Sequence, residues 1–275
     1  MADETKGSDG FPSAREDAIS AETMPATPQT RSPSFRLAYA DADFMLRDEL
    51  RPVRLQLELL KPELLLQEER VGSTIVVFGS ARVPDPATLE PAARTTQRSN
   101  YYEEAREFAR IVSLACQCDG ARELVVITGG GGGIMEAANR GAHDVGAVSV
   151  GLNIVLPKEQ CPNAYITPEL SFQFHYFGLR KMHFLMRARA LVFFPGGFGT
   201  MDELFDALTL IQTRKIKPMP VLLFGETYWR RVLNFEAMAE DGMIAPEDLK
   251  IIQYVEKADD AWERIRTFYE KAPGA

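Results

Sequence analysis

The chain has 275 residues, of which 45% are hydrophobic and 25% are charged, and its formal net charge is -8. This length and composition suffice for one sizeable hydrophobic core. The acidic balance argues against nucleic acid and against an anionic membrane as partners. It leaves small phosphate ligands open, because the N-terminus of a helix binds phosphate without net positive charge.

The first 34 residues are rich in Ser, Thr, Pro, Ala and acidic residues and contain few large apolar side chains. Such a composition cannot bury enough surface to offset the entropy of ordering, so residues 1–34 are predicted to form a disordered tail. No apolar leader follows Met1, and no apolar run approaches the ~20 residues of a membrane-spanning helix. We therefore expect a cytoplasmic protein with no membrane partner.

Residues 35–70 show a different pattern, in which leucines and Phe44 recur at roughly helical spacing. The pattern predicts a helical arm that packs on the main domain or on a second subunit. Pro52 and Pro62 are expected to begin or break helices within the arm, since proline lacks the N–H that an interior helical position needs.

The main domain, residues 71–275, alternates short β-rich runs with amphipathic stretches of helical length. This alternation predicts βαβ units, and hence an α/β fold: a Rossmann-like, doubly wound parallel sheet with an N-terminal helical arm. The predicted strands are 75–78, 124–127, 147–152, 190–194, 219–224 and a weaker sixth at 251–255. The main predicted helices are 101–117, 133–145, 178–188, 200–213 and 257–270.

Three of the predicted strands end in glycine-rich turns, namely Gly79-Ser80, Gly129 to Gly133, and Gly196 to Gly199. Ligands of doubly wound sheets bind outside the carboxyl ends of the strands. The three turns are therefore expected to converge on one crevice.

The glycine tract from Gly129 to Gly133 stands between a predicted strand and a predicted helix. It lets the backbone approach a ligand and present N–H groups to it. The alternative is a tight strand-to-helix connection, but five glycines carry an entropic cost that turning alone does not require. The tract departs from the dinucleotide-binding fingerprint, since no clear ribose-binding acid follows the next strand.

The segment Pro195 to Glu203 reads Pro-Gly-Gly-Phe-Gly-Thr-Met-Asp-Glu. It predicts a strand end, a turn and a helix that opens at Gly199-Thr200, with Thr200 at the N-cap or first helical position. The first N–H groups of that helix and the Thr200 hydroxyl suit a phosphate. Asp202 and Glu203 either complement the helix dipole or accept hydrogen bonds from the hydroxyls of a ribose.

Arg180 and Lys181 are predicted to lie at the start of the helix that precedes this strand. Just before them, the aromatic run from Phe172 to Phe177 either walls a base pocket or belongs to the core, and both readings stay open. The three histidines are not grouped with acids in a ligand pattern, so no metal is predicted.

The segment 195–203 resembles the PGGxGTxxE motif of the Lonely Guy (LOG) family. Arg180-Lys181 lies fifteen residues upstream of Pro195, as the Arg-Lys pair of that family does. The segment 130–137, Gly-Gly-Gly-Gly-Ile-Met-Glu-Ala, is similar to the family's glycine loop. The resemblance covers about residues 72 to 240.

The resemblance implies a hydrolase that releases the base from a nucleoside 5'-monophosphate, including AMP and cytokinin ribotides. It implies a homodimer with its site near the subunit interface, and neither a cofactor nor a metal is predicted. Arg180 and Glu203 match the proposed catalytic pair. The positions expected to contact the substrate, from the glycine turns or from the resemblance, are Gly79, Ser80, Gly130, Gly131, Gly132, Met135, Glu159, Lys181, Gly196, Gly197, Gly199, Thr200, Asp202 and Thr209.

The chain departs from the small plant-type members in the three residues before Arg180, which are Phe177-Gly178-Leu179 where those members have Met-His before the Arg-Lys pair. The preference for one base over another is therefore open. Many relatives carry the label lysine decarboxylase, but no lysine here stands in a pyridoxal-phosphate setting. The alternative function is a non-catalytic carrier of a nucleotide or of molybdenum cofactor, and the presence of both Arg180 and Glu203 favours the enzyme.

Overall fold

The computed structural model describes residues 12–90, 97–117, 120–157 and 161–271. The chain forms two compact units, Met1–Leu57 and Glu58–Ala275. The division falls inside a helix of the arm, ahead of residue 71, where the sequence analysis begins the main domain.

In the first unit, helix α1 (Ala14–Glu22) lies within the segment predicted as a disordered tail. The Ser13 hydroxyl accepts a hydrogen bond from the Glu16 N–H, and the Glu16 carboxylate accepts one from the Ser13 N–H. This capping box satisfies two N–H groups that the helix leaves unpaired. Because α1 buries no residue, its local capping rather than a core accounts for it. Helix α2 (Ala42–Met45) follows, and residues 1–11 lie outside the described residues.

Helix α3 runs from Arg51 to Glu68 and contains Pro62 in its interior, so the expected break at Pro62 is wrong. Pro52 lies in the first turn, where the missing N–H costs nothing. Pro62 cannot donate to the carbonyl of Glu58 one turn earlier. That carbonyl oxygen instead lies 3.3 Å from Nε2 of His183. A hydrogen-bond partner from a neighbouring helix thus offsets the loss and lets α3 continue.

The second unit is built on a parallel sheet of seven strands in the order β4-β3-β2-β1-β5-β6-β7. All six predicted strands are confirmed. The strand that the sequence analysis missed is β4, which lies in the aromatic run, buries Phe172 and Phe174, and pairs with β3. The strands are β1 (Thr74–Phe78), β2 (Val125–Thr128), β3 (Ser149–Ile154), β4 (Ser171–Phe174), β5 (Ala188–Phe193), β6 (Val221–Phe224) and β7 (Ile252–Val255).

Helices cover both faces of this sheet, which confirms the doubly wound α/β fold. Successive side chains of β1 point to opposite faces: Ile75 and Val77 join one core cluster, Val76 and Phe78 the other. The helices are α4 (Gln97–Cys116), α5 (Ile134–His143), α6 (Phe177–Met186), α7 (Phe198–Gln212), α8 (Glu226–Val232), α9 (Phe235–Glu240) and α10 (Ala258–Lys271). Among the described residues, no helix has the length and apolar character needed to cross a membrane.

The order of the strands locates the crevice. The chain proceeds outward from β1 to β4 on one side and then returns, so that β5 pairs with the other side of β1. Loops that leave β1 and β5 at their carboxyl ends diverge at this switch point, which is where doubly wound sheets bind ligands.

Candidate functional site

A cavity of about 1060 Å³ opens at the carboxyl ends of the strands. The turns after β1, β2 and β5 all contribute to its wall, through Gly79-Ser80, Gly129 and Pro195 to Thr200. The expected convergence of the three glycine turns on one crevice is therefore confirmed. The volume is at the upper end of the 300–1,000 Å³ typical of ligand pockets.

Two charged side chains face each other in the cavity, Arg180 from α6 and Glu203 from α7. Nη1 of Arg180 lies 4.0 Å from Oε1 of Glu203, and the two side chains are only 13% and 11% exposed. Nε of Arg180 donates a 2.8 Å hydrogen bond to the carbonyl of Leu152, at β3. The guanidinium also lies 5.2 Å from the ring centroid of Phe184. These contacts fix the position of the Arg180 side chain relative to the Glu203 carboxylate.

The position of Arg180 explains why the glycine tract begins where it does. A Cβ atom on Gly129 would lie 2.5 Å from Nη2 of Arg180 and 2.9 Å from the sulfur of Met135. Both distances are far below van der Waals contact, so a side chain at this position would displace the guanidinium from its place at the end of β2. Gly129 and Met135 both line the cavity.

The Glu203 carboxyl has an unusual protonation equilibrium. Burial raises its pKa to about 7; the Arg180 guanidinium opposes this shift, and the Asp202 carboxylate adds to it. Removal from water disfavours the charged form of a carboxyl group, and a facing cation offsets that penalty only in part. Near neutral pH the group therefore populates both forms, so it can donate a proton and accept one.

Helix α7 begins earlier than the sequence predicts. Its N-cap is Gly197, and the Met201 N–H donates to the Gly197 carbonyl at 3.0 Å. Thr200 is thus the third helical residue rather than the N-cap or first, and Asp202 and Glu203 lie beyond the first turn. The sequence analysis was wrong because Gly199 and the exposed Phe198 gave no helical signal. The consequence is that Glu203 does not simply complement the N-terminal dipole.

The beginning of α7 carries unpaired donors at the cavity wall. No side chain caps this helix end, and the first N–H groups of a helix have no partner inside it. Thr200 is only 7% exposed, and its hydroxyl makes no hydrogen bond with the residues that the structure describes. A Cβ on Gly196 would collide with the Thr200 side chain, so this glycine lets the turn fold closely over it.

Other predicted residues lie away from the cavity. Lys181 and Asp202 pair with each other at 2.7 Å, and the Asp202 side chain is 54% exposed. Thr209 is exposed further along α7, where its hydroxyl donates to the Phe205 carbonyl at 2.7 Å. Glu159 lies outside the described residues.

The other three glycines predicted to bind substrate, Gly130 to Gly132, are absent from the cavity lining among the described residues. Two asparagines hold this tract. Nδ2 of Asn163 donates to the carbonyls of Gly130 and Gly131 at 3.2 and 3.0 Å, and to Oδ1 of Asn139 at 2.9 Å. Asn139 is fully buried. Sequence reasoning missed both, although an asparagine on the apolar face of the helix after a glycine tract is a usable signal.

Several further residues at the cavity were missed, because nothing in their local sequence marks them. Tyr228 on α8 donates from its hydroxyl to the Gly196 carbonyl at 2.6 Å. Tyr101, Arg82 and Arg231 also line the cavity. The aromatic run divides between its two expected roles: Phe172 and Phe174 belong to the core, whereas Phe177 is half-exposed at the cavity. The described residues contain no cluster of histidine, cysteine and acidic side chains that could hold a metal.

Comparison with known proteins gives a family model and several similar plant proteins. A family model described as "Possible lysine decarboxylase" matches residues 135–265. Two Arabidopsis thaliana proteins named cytokinin riboside 5'-monophosphate phosphoribohydrolase are similar: LOG3, 28% identical over 56% of this chain and 70% of the relative, and LOG4, 29% identical over 76% and 86%. A probable enzyme of the same name from Oryza sativa subsp. japonica, LOGL3, is 26% identical over 74% and 87%.

Among solved structures, the molybdenum cofactor binding protein from Rippkaea orientalis superimposes with a TM-score of 0.45 and 16% identity, over 71% of this chain and 94% of that one. The sequence matches agree with the two motifs at their family spacing. The chain is therefore similar to proteins of the Lonely Guy (LOG) family.

Proposed function

We propose that the protein hydrolyses the N-glycosidic bond of a nucleoside 5'-monophosphate, AMP or a cytokinin ribotide, to the free base and ribose 5-phosphate. The observation that carries the proposal is the buried Arg180–Glu203 pair, whose carboxyl has a pKa of about 7. It faces the same cavity as the uncapped start of α7. The similar plant proteins are named as phosphoribohydrolases of this kind.

In the proposed complex, the 5'-phosphate lies on the N–H groups between Gly197 and Thr200, where the helix dipole also favours negative charge. Glu203 is one turn further along α7. The ribose, which is attached to the phosphate, would then lie over the carboxyl group. This order along one helix suits a substrate that carries its phosphate and its scissile bond at opposite ends of the sugar.

Cleavage builds positive charge on the ribose, as in glycoside hydrolysis. Protonated Glu203 gives its proton to the departing base while the bond between base and sugar breaks. The resulting carboxylate stabilises the positive sugar and then takes a proton from the attacking water. The oxygen of that water ends on C1' of the ribose 5-phosphate, and Glu203 is protonated again. A carboxyl with a pKa near the working pH can serve in both steps.

Arg180 remains charged throughout, since the pKa of a guanidinium exceeds ~12. Its attraction for the carboxylate favours the state that Glu203 reaches after giving up its proton. The neighbouring acid, Asp202, is paired with Lys181 and stands outside the described cavity lining. We therefore assign the proton to Glu203 itself.

The direct test is incubation of the purified protein with AMP, GMP, CMP or a cytokinin ribotide, followed by chromatography for free base and ribose 5-phosphate. We expect equimolar release of both products from at least one of these nucleotides. A nucleotide carrier would bind the same compounds and return them intact, so tight binding without release would support the alternative. No release from any of the four overturns the hydrolase.

We also propose that the protein acts as a homodimer, as the family resemblance implies. Apolar side chains on α6 and on the second half of α3 are about half-exposed: Met182, Met186, Leu60 and Leu64. A second copy would bury them beside the helix that carries Arg180. Light scattering after gel filtration tests this, and a monomeric mass at micromolar concentration would contradict it.

A further inference from the structure

Two arginines that the family motifs do not include line the cavity, Arg82 and Arg231. Arg82 follows β1, and Arg231 belongs to α8, which follows β6. Strands β1 and β6 are the two neighbours of β5 in the sheet. The residues that follow them therefore lie on either side of the turn that follows β5, which is the turn from Gly196 to Thr200.

Hydrogen bonds fix both flanking segments against that turn. On one side, the Ser80 N–H donates to the Pro195 carbonyl at 3.1 Å. On the other, the Tyr228 hydroxyl donates to the Gly196 carbonyl at 2.6 Å. Arg231 is three residues after Tyr228 and hence on the same face of α8. The two arginines approach the start of α7 from opposite directions.

Neither guanidinium has an ion pair or a hydrogen bond with any residue in the described parts of the chain. The adjacent Arg230 is the opposite case, because it binds Glu226 and Glu236, each at 2.6 Å. Among the described residues that line the cavity, Glu203 alone is acidic, whereas Arg82, Arg180 and Arg231 are cationic. The cavity thus carries a surplus of positive charge on the side of the α7 turn.

The third element of this arrangement is Thr200, which lies between the two flanking segments. It is 93% buried, since 7% of its surface is exposed, and it lines the cavity. Its hydroxyl has no hydrogen-bond partner among the described residues and is not one of the fully enclosed polar atoms, so it is accessible from the cavity. An acceptor from outside the chain would satisfy it together with the free N–H groups of α7.

We propose that Arg82 and Arg231 clamp the phosphate group of the ligand against Thr200 and the start of α7, and that this clamp makes the site select phosphorylated over unphosphorylated ligands. The inference rests on the proposed nucleotide site and names the residues that give it phosphate selectivity. A guanidinium matches phosphate oxygens with two parallel hydrogen bonds, which are stronger than those of neutral donors. The clamp lies on the far side of the sugar from the base, so it leaves the reacting bond to Arg180 and Glu203.

The experiment measures binding rather than turnover. Ribose 5-phosphate and ribose are titrated by calorimetry into the wild-type protein and into Arg82→Ala, Arg231→Ala and Arg230→Ala. Arg230→Ala is the matched control, because it removes the same side chain from the adjacent position while leaving the cavity unchanged. Arg82→Lys and Arg231→Lys keep the charge but lose the paired hydrogen bonds. Thermal unfolding of each variant confirms folding before titration.

We expect the Kd for ribose 5-phosphate to rise about 10- to 100-fold in each alanine variant, the equivalent of one charge-assisted hydrogen bond or pair. The lysine variants should lie between the alanine variants and wild type, and Arg230→Ala should match wild type. Ribose should bind weakly and equally to all. In kinetics with AMP, the alanine variants should raise KM far more than they lower kcat.

The clamp is overturned if the wild-type protein shows no preference for ribose 5-phosphate over ribose, or if both alanine variants bind ribose 5-phosphate within about two-fold of wild type. These outcomes are distinguishable from failure of the hydrolase. Intact phosphate selectivity that is lost in the alanine variants, with no release of base by wild type, keeps the clamp and rejects hydrolysis. Release of base with unchanged binding in the variants does the reverse.

Discussion

A cavity lies at each end of the parallel sheet, and the charged groups in the two cavities differ in their bonding partners. The cavity at the amino ends of β1 and β5, of about 540 Å³, is lined by apolar side chains and by Arg187, Arg189 and Lys217. There, Arg187 pairs with Glu63 and donates from Nε to the Val71 carbonyl at 3.3 Å. The Arg189 guanidinium lies 5.8 Å from the ring centroid of Tyr269. These cations are bound to other parts of the chain and join elements together.

The cavity at the carboxyl ends of the strands shows the opposite pattern of bonding partners. Arg82, Arg231 and the Thr200 hydroxyl have no partner within the described residues, and Glu203 is buried with only a long ion pair. Burial of a polar group without a close partner costs stability, as at Glu203, whereas Arg82 and Arg231 are exposed to solvent and accessible to a ligand. The difference indicates that the cations of the amino end stabilise the fold, and it is consistent with our proposal that the polar groups of the carboxyl end bind a ligand. Substitutions at the two ends should therefore separate stability from activity.

The largest expected effect follows Glu203→Gln, which keeps the shape of the side chain but removes its proton transfer. Loss of a positioned acid-base group lowers kcat by roughly 10²- to 10⁴-fold. The measurement is release of free base from whichever nucleotide proves to be the best substrate. Its control is Asp202→Asn, the adjacent acid outside the cavity. Equal turnover by Glu203→Gln and wild type would remove this residue from the mechanism.

Arg187→Ala makes the complementary change at the amino end. It leaves Glu63 half-buried beside His183 without its cation, and the Val71 carbonyl loses a donor. We expect the free energy of unfolding in urea to fall by about 1–3 kcal/mol, as for loss of a partly buried charged hydrogen bond. Values of kcat and KM should stay within two-fold of wild type. A large loss of activity with unchanged stability would break the contrast between the two ends.

This contrast also explains what the sequence could predict. Strands buried on both faces read as short apolar runs, so six of the seven were predictable. Strand β4 was missed because Ser171 to Phe174 is short, alternating and embedded in a longer aromatic run. The catalytic candidates stand in contiguous motifs, so they could be proposed from the sequence alone. Arg82 and Arg231 were not, because their role depends on which strands neighbour β5, and their own surroundings in the sequence are ordinary.

Local rules failed where a distant partner intervened. Pro62 predicts a helix break, but His183 approaches the carbonyl that the proline leaves unpaired. The glycine tract predicts a ligand loop, but Asn163 donates hydrogen bonds to the carbonyls of Gly130 and Gly131. Among the described residues, these two glycines do not line the cavity. In both cases the deciding contact joins residues more than thirty positions apart, which no local pattern contains.

The pH dependence of stability sharpens the account of the carboxyl end. Glu203 has a folded-state pKa of about 7, raised from 4.5. Between pH 4.5 and about 7, the Glu203 carboxyl is therefore protonated in the folded state and ionised in the unfolded state. The stability that this proton supplies falls as the pH rises from about 5 to 7. Glu203→Gln cannot titrate, so its unfolding free energy relative to wild type should increase by roughly 2–3 kcal/mol between pH 5 and pH 8. Parallel urea curves at the two pH values would contradict the raised pKa.

The smallest effect is expected from Asn163→Ala, which tests whether the glycine tract must be held for Arg180 to be placed. The substitution leaves the carbonyls of Gly130 and Gly131 without a donor, next to Gly129, on which Arg180 packs. A loosened tract should let the guanidinium move and lower kcat/KM by about 5- to 10-fold, which corresponds to the free energy of about one ordinary hydrogen bond.

Asn234→Ala is the matched control, because the Asn234 side chain also binds the backbone, at the start of α9. It should cost similar stability through loss of a helix cap, with no change in kcat/KM. If both variants lose stability and neither loses activity, the asparagine holds only the fold, and the placement of Arg180 does not depend on it.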